Sequence, residues 1–160
     1  MDMKLSLLTK LESEHRKAEK LLKKLEKADD ASTQRPLVDQ LLAAMADHMR
    51  TEETLVYPVL EEIDGEMSEE AEIEHGLARD GLQTMADMIG KPGFGAAVAM
   101  VQAGIEHHVE EEETEVFPKL RKAMKAPAKK AGARKPAAKK ATAKKPAAKK
   151  SATKKTAARR

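Results

Sequence analysis

The chain has 160 residues and a formal net charge of +3, a length that fits one domain or one domain with a tail. All 27 acidic residues fall in residues 1–125 beside 16 Lys and Arg, for a charge of −11. Residues 126–160 carry 14 Lys and Arg and no acid, for +14. The absence of cysteine excludes disulfides, thiolate ligands, iron–sulfur clusters and cysteine nucleophiles. No apolar run is long enough to span a bilayer. The first eleven residues, interrupted by Asp2, Lys4 and Lys10, do not read as a secretory signal. The expectation is a soluble, cytoplasmic protein without a membrane partner.

Apolar residues in the first 125 positions recur every three or four residues, the period of a helix. A first helix is predicted over about Leu5–Lys27, with Leu8, Leu11, His15, Ala18, Leu22 and Leu25 along one stripe. A second is predicted over about Pro36–Glu62, with Leu41, Met45, His48, Glu52, Leu55 and Val59 in register; proline suits a first helical turn. A third is predicted from the N-cap Ser68 through His75, Ala78, Leu82, Met85 and Ile89, ended by Gly90-Lys-Pro92-Gly93. A fourth follows with Phe94, Val98, Val101, Ile105, His108 and Glu112. Short connections between four such helices predict an all-α, antiparallel up-down-up-down four-helix bundle over residues 1–125. Aromatic residues are scarce, so the core is expected to be aliphatic, with Met45, Met85, Met88 and Met100 as packing residues.

Each stripe holds a histidine, where leucine would pack without desolvating an imidazole. His48-Met-Arg-Thr-Glu52-Glu53-Thr54-Leu-Val-Tyr57-Pro58 is repeated as His108-Val-Glu-Glu-Glu112-Glu113-Thr114-Glu-Val-Phe117-Pro118. In each copy a histidine and a glutamate lie four residues apart, hence on one helical face. His15, His48, Glu52, His75, His108 and Glu112 are therefore the candidate metal ligands. Two carboxylates inside a bundle without a cation would cost several kcal/mol or be protonated, which is about the effective penalty for burying an unpaired ion. Nitrogen and carboxylate donors without sulfur suit iron, with manganese or zinc as alternatives. Six donors exceed the need of one tetrahedral zinc, and carboxylates from two helices can bridge two metals. His107 and Glu111 share the spacing, but the repeat and the stripe through Val101 and Ile105 select His108.

The pattern His, His-x-x-x-Glu, His, His-x-x-x-Glu, with Glu-Glu and aromatic-Pro pairs closing the second and fourth helices, resembles the hemerythrin-like HHE cation-binding domain over about residues 5–125. The resemblance implies a non-haem, oxo-bridged di-iron centre in a four-helix bundle. His15 and His48 would ligate one iron, His75 and His108 the other, and Glu52 and Glu112 would bridge. Oxygen-carrying members have a second histidine on the third helix, four residues after the first. Here that position is Arg79, and Glu72 or water would replace the missing nitrogen. This departure points away from reversible oxygen carriage and leaves room for sensing of oxygen, nitric oxide or peroxide, for iron storage, or for redox chemistry.

Residues 126–160 are a different material. Basic pairs recur every five residues: Lys129-Lys130, Arg134-Lys135, Lys139-Lys140, Lys144-Lys145, Lys149-Lys150, Lys154-Lys155 and Arg159-Arg160. A five-residue step cannot line one helical face. With Ala, Pro, Thr and Ser between the pairs, the segment is predicted to be disordered when free. Its composition resembles the tails of linker histones and bacterial histone-like proteins. The expected partner is nucleic acid, bound through phosphates without sequence preference, with the protein associated with the nucleoid. Two other readings remain open: a di-iron enzyme, either a ferroxidase or a peroxide-decomposing protein, and a histone-like nucleoid protein on a bundle scaffold. No phosphate loop, dinucleotide fingerprint or Ser-His-Asp arrangement supports any other enzyme class. Oligomeric state is not encoded in any of these patterns.

Overall fold

The structure, a computed structural model, describes residues 3–125, with side chains from Ser6 onward. The basic pairs and the predicted disorder of residues 126–160 lie outside the described residues. Among the described residues every regular element is a helix: α1 (Met3–Leu25), α2 (Ala31–Leu55), α3 (Tyr57–Ile63), α4 (Gly65–Asp87), α5 (Phe94–Glu111), a π-helical turn (Glu112–Val116) and α6 (Phe117–Lys125). No helix among them is long and apolar enough to cross a membrane.

Local chemistry moves several predicted boundaries. α2 starts five residues before Pro36, because the Asp30 side chain accepts from the backbone N–H groups of Ser32 and Thr33. Pro36 consequently lies inside the helix, and its missing N–H forfeits one backbone bond. α4 starts before Ser68, because Asp64 caps it by accepting from the Met67 N–H at 3.3 Å. Ser68 is instead buried, with its hydroxyl donating to the Tyr57 carbonyl at 3.4 Å. The second predicted helix is split at Val56. The fourth passes through the π turn, where the Phe117 N–H donates to the Glu112 carbonyl five residues back. Both interruptions fall immediately after a His-x-x-x-Glu segment. Gly90, at φ 73°, allows the chain to turn out of α4. Its N–H donates to the buried Gln34 side chain, which also donates to the Ala28 carbonyl and so ties two turns together.

α1 packs against α2 and α5, and α4 packs against α5 and α2. Two apolar clusters form, the first between these four helices and the second chiefly from α1, α3, the π turn and α6. One contains Leu22, Leu41, Met45, Leu82, Met85, Phe94, Val98 and Ile105. The other contains Leu8, Leu11, Val56, Tyr57, Leu60, Val116, Phe117 and Leu120. Fully burying a side chain of this size contributes about 1.5–3 kcal/mol. Between the clusters lies a polar layer. α1 reaches it from Leu8 and Leu11 and leaves it towards Ala18 and Leu22, with His15 between. α2 runs from the first cluster through Glu52 to Val56 in the second, and α5 likewise runs to Glu112 and then Val116.

The repeat extends well beyond the segment visible as a motif. A constant offset of 60 residues relates Glu14-His15 to Glu74-His75, Ala18 to Ala78, Leu22 to Leu82, Val38 to Val98, and His48 through Pro58 to His108 through Pro118. The inward face of α1 and α2 is thus written a second time in α4 and α5.

Candidate metal centre

All six predicted ligands converge. His15, His48, Glu52, His75, His108 and Glu112 are each at most 5% exposed. His15, His48, Glu52 and Glu112 bring one donor atom apiece to within 4.8 Å of one another, and Glu52, His75 and His108 form a second such group. Glu52 belongs to both. Its Oε2 lies 3.2 Å from the Nε2 of His48 and 3.2 Å from the Nε2 of His75. Glu112 Oε2 lies 3.3 Å from His15 Nε2 and 3.6 Å from His108 Nε2. Each carboxylate therefore faces one histidine from each half of the chain.

The outer nitrogen of each of the four buried histidines is held by a carboxylate. His15 Nδ1 lies 2.9 Å from Glu113, His48 Nδ1 3.2 Å from Glu14, His75 Nδ1 3.0 Å from Glu53 and His108 Nδ1 2.8 Å from Glu74. A carboxylate only accepts, so Nδ1 carries the proton and Nε2 offers its lone pair inwards. Carboxylates in this position fix the ring and raise its basicity as a ligand. Arg16 donates to Glu113, and Arg79 to Glu53, on the outer side of these contacts. Glu53 and Glu113, the second members of the two Glu-Glu pairs, are two of these supporting carboxylates. Glu14 and Glu74 were not singled out by spacing. Their signal is the Glu-His dipeptide on α1 and again on α4, which emerges once the 60-residue offset is recognised.

Of the two adjacent histidines on α5, the buried one is His108. The His107 side chain is 64% exposed and lies near Glu74 and Glu111. Glu72 is exposed and joins neither buried group, while the Arg79 guanidinium is engaged with Glu53. Tyr57 is buried against His75, with ring centroids 5.0 Å apart, whereas Phe117 stacks on His15 at 5.9 Å.

Electrostatics sharpen the picture. Burial raises the Glu112 carboxyl, and the neighbouring Glu52 adds to this, so that it is pushed up to about 7. Burial alone would lower His108, but Glu52 and Glu74 overcome it and push the imidazole up to about 10. Burial likewise opposes the downward shift of Glu52, which His108, His75 and His48 impose. His48 is lowered, chiefly by burial. Burial and then the surrounding carboxylates push the Tyr57 hydroxyl upwards. Both oxygens of Glu52, both of Glu112 and the Nε2 of His108 are nevertheless buried without a hydrogen-bond partner. Without an extra proton, the close approaches set Nε2 lone pairs against carboxylate lone pairs, which is why Glu112 and His108 hold their protons so firmly. Buried acceptors left in this state cost about 1–3 kcal/mol each. A cation among them would satisfy all of them at once, so the residues fit a metal site.

The hemerythrin HHE cation-binding domain model matches residues 6–120. The chain therefore belongs to the hemerythrin HHE cation-binding family. No curated protein and no solved structure matches it.

Proposed function

We propose that residues 1–125 form an antiparallel four-helix bundle around a non-haem di-iron centre. His15 and His48 would hold one iron, His75 and His108 would hold the other, and Glu52 and Glu112 would be shared between them. The observation that carries this reading is the set of unpartnered buried oxygens on Glu52 and Glu112, each lying between histidines of the two halves. The reversal of helix direction between the two apolar clusters supports the up-down-up-down order. Nitrogen and carboxylate donors favour iron over softer metals. Bound iron supplies a ferrous–ferric couple and open positions for oxygen, nitric oxide or peroxide. The protein's own contribution is to orient four imidazoles through Glu14, Glu53, Glu74 and Glu113, and to exclude bulk water with an apolar cluster on each side. Sensing or iron binding is the function this centre serves; turnover of ferrous iron or peroxide by purified protein would instead favour an enzyme.

The basic segment of residues 126–160 is the proposed nucleic-acid contact, on charge alone: 14 positive charges without an acid. Metal analysis after iron-replete expression, with optical spectra before and after air exposure, tests the centre. Two irons per chain with ligand-to-metal absorption on oxidation are expected. Stoichiometric zinc without iron overturns the reading.

A further inference from the structure

Under the 60-residue offset, Tyr57 corresponds to Phe117, and the two rings meet corresponding histidines differently. Phe117 lies nearly parallel to His15, with an interplanar angle of 8°. Tyr57 is tilted 36° to His75 and brings its hydroxyl 2.8 Å from Nε2. The same oxygen lies 3.4 Å from Nδ1, so it stands beside the lone-pair direction of Nε2 rather than along it. Because Nδ1 faces the Glu53 carboxylate at 3.0 Å, the Nε2 lone pair stays directed inwards, where Glu52 Oε2 lies 3.2 Å away. A phenol oxygen and an imidazole nitrogen therefore flank the same inner space.

Glu52 and Glu112 each face histidines of both halves, so the carboxylates alone do not distinguish the two positions. Beside His75, Arg79 is bound to Glu53 and Glu72 is exposed, which leaves the Tyr57 hydroxyl as the additional oxygen at that position. We propose that Tyr57 is an additional ligand, binding the metal held by His75 and His108 through its phenol oxygen. With ferric iron it binds as phenolate, its proton passing to solvent. A hard, anionic oxygen suits ferric iron. The two metal positions then differ in kind, one having a phenolate and the other none. This assignment rests on the di-iron reading above.

The test is resonance Raman and visible absorption of air-oxidised, iron-loaded full-length protein and of Tyr57→Phe. Tyr57 is the single tyrosine of the chain, so any iron–tyrosinate signature belongs to it alone. Phenylalanine already occupies the corresponding site at 117, so the fold should accept the exchange. The expected result is a tyrosinate charge-transfer band with enhanced phenolate ring modes; in Tyr57→Phe these modes vanish while iron and the remaining ligand-to-metal absorption are retained. A purely structural hydroxyl would give no phenolate modes in either protein. Equal iron content with identical spectra overturns the ligand assignment and leaves the di-iron reading standing. Absence of iron from both proteins overturns the di-iron reading, and the assignment with it.

Discussion

Arg79 and Glu53 form an ion pair on the outer side of His75, and the same Glu53 oxygen lies 3.0 Å from that ring's Nδ1. The arginine at the position of the expected extra ligand thus acts on the histidine it follows, through a carboxylate.

A variant series separates these roles. Glu53→Gln should weaken metal binding by about 10- to 100-fold, the range for a carboxylate supporting a ligand histidine. Arg79→Ala should do less, because its side chain is 49% exposed and solvent screens the pair. Competition against a calibrated chelator measures both. An Arg79→Ala effect equal to that of Glu53→Gln would show that Glu53 does not orient His75 on its own.

His108→Ala should lose at least half the bound metal and lower the melting temperature, since a buried side chain beside two carboxylates is removed. His107→Ala should change neither appreciably. Metal content and thermal unfolding of the two variants provide the check, and equal losses would contradict the register of α5.

Stability of the metal-free protein should fall as pH rises. Glu112 is raised from its ordinary 4.5 to about 7, so its ionisation costs stability progressively across that interval. His108 is raised from 6.5 to about 10, so its contribution is complete below about 6.5 and is lost towards 10. The downward-shifted Glu52 acts in the opposite direction below its ordinary 4.5 and the downward-shifted His48 below its ordinary 6.5, so the net fall is expected above about pH 6.5. Metal competes with the protons on Glu112 and His108, so metal affinity should rise over the same range. Melting temperatures of chelator-treated and metal-loaded protein at pH 5, 7 and 9 should diverge. A metal-free melting temperature that climbs from pH 7 to 9 would refute the assigned shifts.

Full-length protein should bind duplex DNA without sequence preference, and a chain ending at Lys125 should not. The removed segment carries +14 and the remainder −11. If about ten charges meet phosphates, the slope of log affinity against log salt should be about −9. Anisotropy titrations of both chains at several salt concentrations decide the matter; unchanged affinity after truncation would sink the proposed contact.

Much of the site was legible because ligand spacing and helical period coincide. His48 and Glu52, and His108 and Glu112, must share a face if the segment is helical, and the apolar stripes establish that it is. The boundaries were less legible. Asp30 and Asp64 outcompeted the signals from Pro36 and Ser68, since an aspartate side chain bonded to free N–H groups fixes a helix start whichever residue follows. The break at Val56 and the π turn leave no mark in hydrophobic periodicity. Glu14 and Glu74 were hidden among the many acids of a charged chain, because a carboxylate supporting a histidine and one facing water have the same local sequence appearance. The difference between Tyr57 and Phe117 is visible in the sequence, but nothing in an aromatic-Pro pair separates a packing ring from a ligand.

The 60-residue offset gives the protein an internal experimental control. A substitution at Glu53 has its counterpart at Glu113, one at Glu14 at Glu74, and one at Tyr57 at Phe117. Each pair can be altered singly, doubly or by exchange within one polypeptide at constant composition. Exchanging Tyr57 and Phe117 would transplant the chain's single phenol from one half to the other, so that differences between the two metal positions caused by that group could be separated from those built into the surrounding helices.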